Sequence, residues 1–238
     1  MEVALNPTTF SLVGSHILVS GAAGGVGSAV VSTLLAAGAH VIGVERHTPP
    51  PREGVSWRSC DLTDEKAVSD LLEEVTTTFP LDGVIHLVGG YTDGQRVDQA
   101  SWSSWETMLN LNLKASVLLV GQSVAHFRKQ GRGSIAVVGS ALTLPGTRPT
   151  WGVGPYVVSK AAVASLVEVA AAELVGSGVR INLVTPVTIA TPANLRTMPD
   201  QDSSRWVTPE EVAHSLAWLV SDGAAGIHGQ ILRLGSRS

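Results

Sequence analysis

The 238-residue chain has few of the features that mark secreted, nucleic-acid-binding or membrane-attached proteins. It contains one cysteine, Cys60, which excludes an intramolecular disulfide and favours a reducing compartment. Its net charge is −4, and no run of Lys or Arg is longer than two. We therefore expect neither a nucleic-acid partner nor attraction to an anionic membrane.

Long apolar runs are also missing, because Gly, His or charged residues interrupt each one before it reaches membrane-spanning length. The stretch 1–15 carries Glu2, Asn6 and Pro7 and no cationic segment, which is unlike a signal peptide. The seven histidines include no pair at metal-ligand spacing, so no metal site is predicted. We expect a single cytoplasmic domain covering residues 1–238.

Short apolar segments alternate with helical ones along the chain. Most of the strand candidates are continuously apolar, which is typical of a parallel sheet covered on both faces. The sequence therefore predicts an α/β fold, a Rossmann-like doubly wound parallel sheet of about seven strands with helices on both faces. The predicted strands are 16–20, 39–44, 55–60, 83–88, 134–138, 179–184 and 230–234, and the predicted helices are 28–37, 65–79, 105–128, 157–175 and one that begins at Thr208.

A glycine-rich turn joins the first predicted strand to the first helix. Gly21, Gly25 and Gly27 allow a tight turn whose amides can approach a pyrophosphate at the helix N-terminus. Glu45 follows about 20 residues later, at the end of the next strand, where an acid can bind the ribose hydroxyls of a dinucleotide. The turn therefore predicts a nicotinamide dinucleotide site.

The choice between NAD and NADP depends on the residues around Glu45. Its carboxylate would repel a 2′-phosphate, and positions 22–24 hold no basic residue, which favours NAD. The neighbouring Arg46 could instead pair with that phosphate. We expect NAD, and NADP stays open.

Tyr156 and Lys160 are four residues apart in a predicted helix, so their side chains lie on one face. A phenol with a pKa of about 10 exchanges protons poorly at neutral pH. A cation that lowers this pKa by roughly three units contributes about 4 kcal/mol to the phenolate. Such a tyrosine can give a proton to a carbonyl oxygen or take one from an alcohol.

From Ser20 to about Leu234 the chain resembles the short-chain dehydrogenase/reductase family, in its compact single-domain form. Residues 20–27, Ser-Gly-Ala-Ala-Gly-Gly-Val-Gly, are similar to the family's Thr-Gly-x-x-x-Gly-x-Gly loop, and Tyr156 with Lys160 matches its Tyr-x-x-x-Lys pair. The resemblance implies a set of cofactor-binding residues: Gly21, Ala23, Gly25, Val26, Gly27, Glu45, Arg46, Asp61, Leu62, Val88, Gly89, Lys160, Pro186 and Thr188.

The resemblance also implies four catalytic residues. Ser140 would hold the substrate oxygen, and Tyr156 would exchange its proton. Lys160 would lower the pKa of Tyr156 and bind the nicotinamide ribose, and Asn112 would order its helix and a relay water. Thr143 is the alternative to Ser140, because it fits the usual spacing to Tyr156 better.

Three positions depart from the family pattern. His86 and Leu87 replace two asparagines, and Val187 replaces a glycine. His86 is interpreted as a structural histidine, with a cofactor contact as the alternative.

The predicted function is an NAD(P)-dependent oxidoreductase that acts on a carbonyl/secondary alcohol pair, with a non-catalytic nucleotide-sensing protein as the alternative. The resemblance leaves thioester, sugar and steroid-like substrates open and implies a homodimer or homotetramer. Trp151 and Trp206 are expected to border the substrate or to pack loops onto the core.

Overall fold

A computed structural model describes residues 10–147 and 151–235. The described chain contains a seven-stranded sheet in the order β3-β2-β1-β4-β5-β6-β7, with every neighbouring pair parallel. The strands are β1 (His16–Ser20), β2 (His40–Glu45), β3 (Val55–Ser59), β4 (Leu81–His86), β5 (Gly133–Val138), β6 (Val179–Pro186) and β7 (Ile231–Leu234).

Helices connect these strands across both faces of the sheet. They are α1 (Gly27–Ala36), α2 (Glu65–Thr78), α3 (Trp102–Met108), a π-helix (Leu109–Lys114), α4 (Ala115–Gln130), α5 (Gly154–Leu174), α6 (Pro192–Thr197) and α7 (Pro209–Val220). None of the helices in the described ranges combines the length and the apolar character that crossing a membrane would require.

Two apolar clusters fill the space between the sheet and its helices. Ile17 and Val19 point into the cluster under α1 and α7, whereas Leu18 points into the cluster under α2, α4 and α5. Successive side chains of a strand point to opposite faces, so β1 is buried on both sides. This confirms the predicted doubly wound α/β fold.

The sheet places the candidate site at the carboxyl ends of its central strands. β1 has β2 on one side and β4 on the other, so the chain reverses its winding direction between β1 and β4. In such sheets a ligand crevice opens at the carboxyl ends of the strands where the direction reverses. The glycine turn follows the carboxyl end of β1, Glu45 is the last residue of β2, and the loop after His86 follows the carboxyl end of β4.

The largest difference from the predicted elements is in the segment 105–128. The helix begins earlier, at Trp102, because the Ser101 hydroxyl caps it by accepting a hydrogen bond from Ser104 N–H. It is also interrupted by the π-helix, which residue propensities do not reveal. Strand β4 spans 81–86 rather than 83–88, so Val88 lies in the loop beyond it. The predicted start of α7 is confirmed, because Thr208 and Glu211 form a capping box.

Candidate active site

The turn after β1 forms a cradle that requires glycine at positions 21 and 27. Gly21 has a φ of +73°, and a Cβ added at Gly27 would overlap the Gly21 carbonyl oxygen and lie 2.7 Å from the Ala22 carbonyl carbon. Helix α1 has no side-chain cap at Val26 and no acid in its first turn. Its N-terminal amides therefore suit an anion such as a pyrophosphate.

The adenosine end of this crevice is formed by charged side chains after β2 and β3. Glu45 Oε1 accepts a hydrogen bond from Ala23 N–H at 2.6 Å, which links the acid to the cradle. Arg46 pairs with Asp61 at 3.2 Å. Hydrogen bonds from Thr63, together with Arg46, lower the pKa of Asp61. The side chain of Leu62 is buried in the core, so only its backbone can face a cofactor.

The nicotinamide end is formed by the residues after β4 and β6. A Cβ added at Gly89 would lie 2.5 Å from Asn112 Oδ1 and 3.0 Å from Lys160 Nζ, so glycine lets the backbone approach both side chains. Pro186 is buried as the last residue of β6. The carbonyl of Thr188 accepts a hydrogen bond from Val207 N–H at 3.0 Å. The predicted cofactor residues therefore lie in the turn after β1 and at or just beyond the carboxyl ends of β2, β3, β4 and β6, apart from Lys160 on α5.

Asn112 lies within the π-helix and is fully buried. Its amide Nδ2 donates to Gly90 O at 3.1 Å and to Ser159 Oγ at 2.9 Å, and its Oδ1 accepts from Gly90 N–H at 2.9 Å. The side chain thus ties the loop after β4 to helix α5. Asn112 is fixed between the loop and the helix that carries Tyr156.

Ser140, rather than Thr143, lies beside the phenol of Tyr156. The Ser140 side chain is buried and lies close enough to the Tyr156 phenol to lower the pKa of Tyr156 by hydrogen bonding. Its Oγ also accepts from Leu142 N–H at 3.3 Å. The hydroxyl of Thr143 donates to the Ser140 carbonyl at 2.8 Å, so it stabilises the turn after β5.

Lys160 is buried beneath this pair. Its Nζ donates to the Val138 carbonyl at 3.0 Å, and burial lowers the pKa of Lys160 to about 8. Burial raises the pKa of Tyr156, and the hydrogen bond from Ser140 offsets only part of that rise. The expected lowering of the Tyr156 pKa by Lys160 is not seen here, because burial of the phenol is the largest cause acting on that pKa and Lys160 is not among the causes.

We expect Lys160→Met to stabilise the cofactor-free protein at neutral pH. The unfolded chain holds the lysine proton up to pH 10.5, whereas the folded protein releases it near pH 8. Keeping this ammonium buried costs about 3 kcal/mol at pH 7. Leaving the Val138 carbonyl unpaired in the variant costs about 1 kcal/mol. The free energy of unfolding of Lys160→Met should therefore exceed that of the wild type by about 2 kcal/mol.

The stability of the wild type should rise between pH 8 and 10.5, because the unfolded chain binds more protons there. The advantage of Lys160→Met should shrink over the same range. Denaturant melts of both proteins at pH 7 and pH 10 check this. A variant that is less stable than the wild type at pH 7 contradicts the assigned cost.

Tyr91, which the sequence analysis missed, lies against Tyr156. The two rings pack edge to face, with centroids 4.9 Å apart and planes 70° apart. The Tyr91 hydroxyl donates to Asp93 Oδ2 at 3.1 Å, and burial followed by Asp93 raises the pKa of Tyr91 to about 12. Tyr91 follows Gly89-Gly90 in the loop after β4, and that position could have singled it out.

The two tryptophans expected near the substrate differ in their surroundings. Trp151 is exposed and lines a groove of about 580 Å³ beside the start of α5, together with Val97, Val157 and Val158. Neither Ser140 nor Tyr156 is among the described residues that line this groove. Trp206 is half-buried after the 3₁₀ turn Ser203–Arg205.

His86 is buried and hydrogen-bonded at both ring nitrogens, to Ser20 Oγ at 2.7 Å and to Ser116 Oγ at 3.0 Å. The interpretation of a structural histidine is confirmed. Across residues 10–147 and 151–235, no group of three or more His, Cys, Asp or Glu side chains is placed to hold a metal ion.

Several known proteins are similar to this chain in sequence or in fold. A family model described as enoyl-(acyl carrier protein) reductase matches residues 21–234. Cis-4-hydroxycyclohexanecarboxylate dehydrogenase of Sinomonas cyclohexanicum is 30% identical over 233 residues, covering 90% of this chain and 92% of that protein. The 2-dehydro-3-deoxy-D-gluconate 5-dehydrogenase of Bacillus subtilis is 27% identical, with 94% of each chain covered.

Among solved structures, a short-chain type dehydrogenase/reductase from Mycobacterium ulcerans superposes with a TM-score of 0.85 at 25% identity. The match covers 94% of this chain and 89% of that one. The sequence matches extend over nearly the whole chain. The protein is therefore an NAD(P)-dependent oxidoreductase that belongs to the short-chain dehydrogenase/reductase family.

Proposed function

We propose that this oxidoreductase interconverts a secondary alcohol and its ketone, with Tyr156 as the general acid/base. The observation that carries the proposal is the buried position of Ser140 beside the Tyr156 phenol, where the serine side chain lowers the pKa of Tyr156. Lys160 and Asn112 are buried beside this pair, around the backbone of Gly89. A positioned acid beside a second oxygen-binding group is what proton exchange with a carbonyl requires.

Each side chain has a separate task in this mechanism. In ketone reduction, the Ser140 hydroxyl donates a hydrogen bond to the substrate oxygen while the Tyr156 phenol gives that oxygen its proton. A bound nicotinamide supplies the hydride in this direction and accepts it in the other. Lys160, with a pKa near 8, is mostly protonated at pH 7 and stabilises the phenolate that remains.

The substrate is proposed to be an uncharged secondary alcohol on a small ring. The two relatives described above are named for a hydroxyl on a cyclohexane ring and for position 5 of a sugar acid, and both of those named substrates carry a carboxylate. The edge-to-face packing of Tyr91 on Tyr156 provides an apolar wall of ring size at the phenol. Asp93, hydrogen-bonded to Tyr91, adds a negative charge there, so a carboxylate on the substrate should be disfavoured.

Steady-state kinetics with cyclohexanol and with 4-hydroxycyclohexanecarboxylate test this substrate class. We expect the neutral alcohol to have the higher kcat/KM, and Asp93→Asn to narrow the difference by about 5-fold. Tyr91→Ala should raise KM by about 10-fold, whereas Tyr91→Phe, which keeps the ring, should raise it less. Equal KM values for Tyr91→Ala and the wild type contradict the role of Tyr91. If the wild-type protein neither oxidises the alcohols nor reduces the corresponding ketones, the proposed reaction is wrong.

The preferred cofactor is proposed to be NAD. Glu45 presents a carboxylate anchored to Ala23, and Arg46 is paired with Asp61 rather than left for a 2′-phosphate. Glu45→Gln removes the negative charge but keeps an oxygen that can accept from Ala23 N–H. We expect this variant to bind NADPH at least about 10-fold more tightly than the wild type does, with little change for NADH.

Tryptophan fluorescence titrations with NADH and NADPH measure both affinities, since the chain has six tryptophans. Asp61→Asn is the companion variant, because it releases Arg46 while Glu45 stays charged. Tighter binding of NADPH than NADH by the wild type contradicts the assignment.

A homodimer or homotetramer in the cytoplasm completes the proposal. Val158 and Val169 are exposed apolar side chains on α5, the helix for which the family resemblance implies pairing between subunits. Sedimentation as a monomer at micromolar concentration would contradict this assembly. The location is supported by Cys60, a free, buried thiol whose pKa burial raises to about 11.

A further inference from the structure

His86, which stands where the family has an asparagine, joins two serines across the interior. It is the last residue of β4 and 1% exposed. Its Nδ1 is 2.7 Å from the hydroxyl of Ser20 on β1, and its Nε2 is 3.0 Å from the hydroxyl of Ser116 on α4. Both serines are buried as well.

The neighbouring hydrogen bonds determine which ring nitrogen carries the proton. The Ser116 hydroxyl donates its one proton to the Asn112 carbonyl at 2.6 Å, so it can only accept from His86. His86 Nε2 therefore bears the hydrogen. Ser20 Oγ accepts from Leu87 N–H at 3.2 Å, which leaves its own proton for His86 Nδ1. Neutral His86 with its proton on Nε2 satisfies every group in the chain of bonds.

A charged His86 is opposed by its surroundings. Burial and the nearby Lys160 ammonium lower the pKa of His86 to about 3. The ring therefore stays neutral at the pH at which the protein works. Its two nitrogens face opposite ways, so it can join a donor on one side to an acceptor on the other.

The two ends of this chain belong to the two halves of the candidate site. Ser20 immediately precedes Gly21 of the cofactor cradle. At the other end, the π-helical turn places the Asn112 carbonyl on Ser116 and the Asn112 amide on Gly90 and Ser159. The hydrogen bonds run without a break from the cradle to the turn that holds the loop after β4.

We propose that His86 is a positioning residue that, through Ser116, holds the π-helical turn of Asn112 in register with the cofactor cradle. Its kinetic consequence rests on the proposed function, because Asn112 supports the site of Tyr156. The linkage itself does not depend on any activity.

The kinetic test compares two serines of the same helix. Ser116 and Ser123 are both buried, and each donates to the carbonyl four residues earlier, Ser123 to Leu119 O at 2.7 Å. Only Ser116 contacts His86. We expect Ser116→Ala and His86→Leu each to lower kcat by about 10-fold, with the affinity for NADH within about 3-fold of the wild type. The double variant should lower kcat by no more than about 20-fold, because both changes break the same linkage.

Ser123→Ala should lower the melting temperature as Ser116→Ala does but leave kcat within about 2-fold of the wild type. His86→Gln, which keeps a donor and an acceptor, should recover part of the kcat lost in His86→Leu. Equal kcat values for Ser116→Ala and Ser123→Ala would overturn the proposal and leave His86 as a packing residue. If His86→Leu does not fold, the comparison of the two serine variants decides alone.

Histidine-selective long-range ¹H–¹⁵N NMR tests the linkage without substrate. We expect the His86 signal, identified by its loss in His86→Gln, to show a neutral ring protonated at Nε2 at pH 7. A ring protonated at Nδ1, or a charged ring, would overturn the proposal. A wild type with the expected tautomer but no turnover would sink the proposed function and leave the linkage standing.

Discussion

Tyr156→Phe is expected to lower kcat by about 10³-fold, because it removes the proton that the proposed mechanism gives to the substrate oxygen. The affinity for NADH should stay within about 2-fold, since the pyrophosphate is held at the cradle of Gly21 and Gly27. Removing the phenol oxygen from its position beside Ser140 should change stability by no more than about 1 kcal/mol. Steady-state turnover, NADH titration and thermal melts measure the three effects.

Tyr91→Phe is the matched control, because the chain has only two tyrosines and their rings touch. It removes a hydroxyl bound to Asp93 rather than to Ser140. We expect its kcat to remain within a few-fold of the wild type. Near-normal turnover by Tyr156→Phe would show that another group supplies the proton.

Gly27→Ala is expected to abolish detectable NADH binding, a loss of at least about 100-fold. The added methyl would overlap the Gly21 carbonyl and approach the Ala22 backbone, neither of which is a flexible side chain. The turn must open, and the amides at the start of α1 then lose their arrangement. Overpacking of this kind should also cost about 1–3 kcal/mol of stability.

Gly121→Ala is the control for Gly27→Ala. It lies within α4, and a Cβ there meets no atom within 4 Å in the described structure. We expect unchanged NADH affinity and slightly higher stability, since alanine favours a helix. NADH titration and thermal melts of the two variants make the comparison. Wild-type NADH affinity in Gly27→Ala would show that the cradle does not hold the cofactor.

The parts of the site that sequence could predict are those that local chemistry dictates. The glycines predict a phosphate-binding turn, because a bound phosphate needs the backbone to approach it closely. Tyr156 and Lys160 are readable because helical spacing places i and i+4 together. The capping box at Thr208 and Glu211 is equally local. These features need no knowledge of which segments meet in space.

The rest depends on contacts between distant segments. Tyr91 lies 65 positions from Tyr156, and its contact follows from the path of the loop after β4. The π-helix depends on the fit of Asn112 against Gly90 and Ser159. The pairing of Arg46 with Asp61 joins residues that follow neighbouring strands. These contacts cannot be predicted from residue types or from their spacing in the sequence.

The pKa of Tyr156 is a further property that the sequence alone does not predict. The sequence indicates a cation near the phenol, but not how deeply both groups are buried. In the folded protein, burial raises the pKa of Tyr156 and lowers that of Lys160. Desolvation depends on the whole packing around the site, so it cannot be taken from a four-residue spacing.

The most direct test of the account is hydride transfer from NADH deuterated at C4 to cyclohexanone, followed by NMR of the alcohol formed. We expect deuterium on the carbinol carbon with the wild-type protein, and about 10³-fold less alcohol per unit time with Tyr156→Phe. Tight NADH binding without transfer to this ketone or to any other in a panel of cyclic ketones would contradict it. That result would favour a protein that binds the nucleotide without using it.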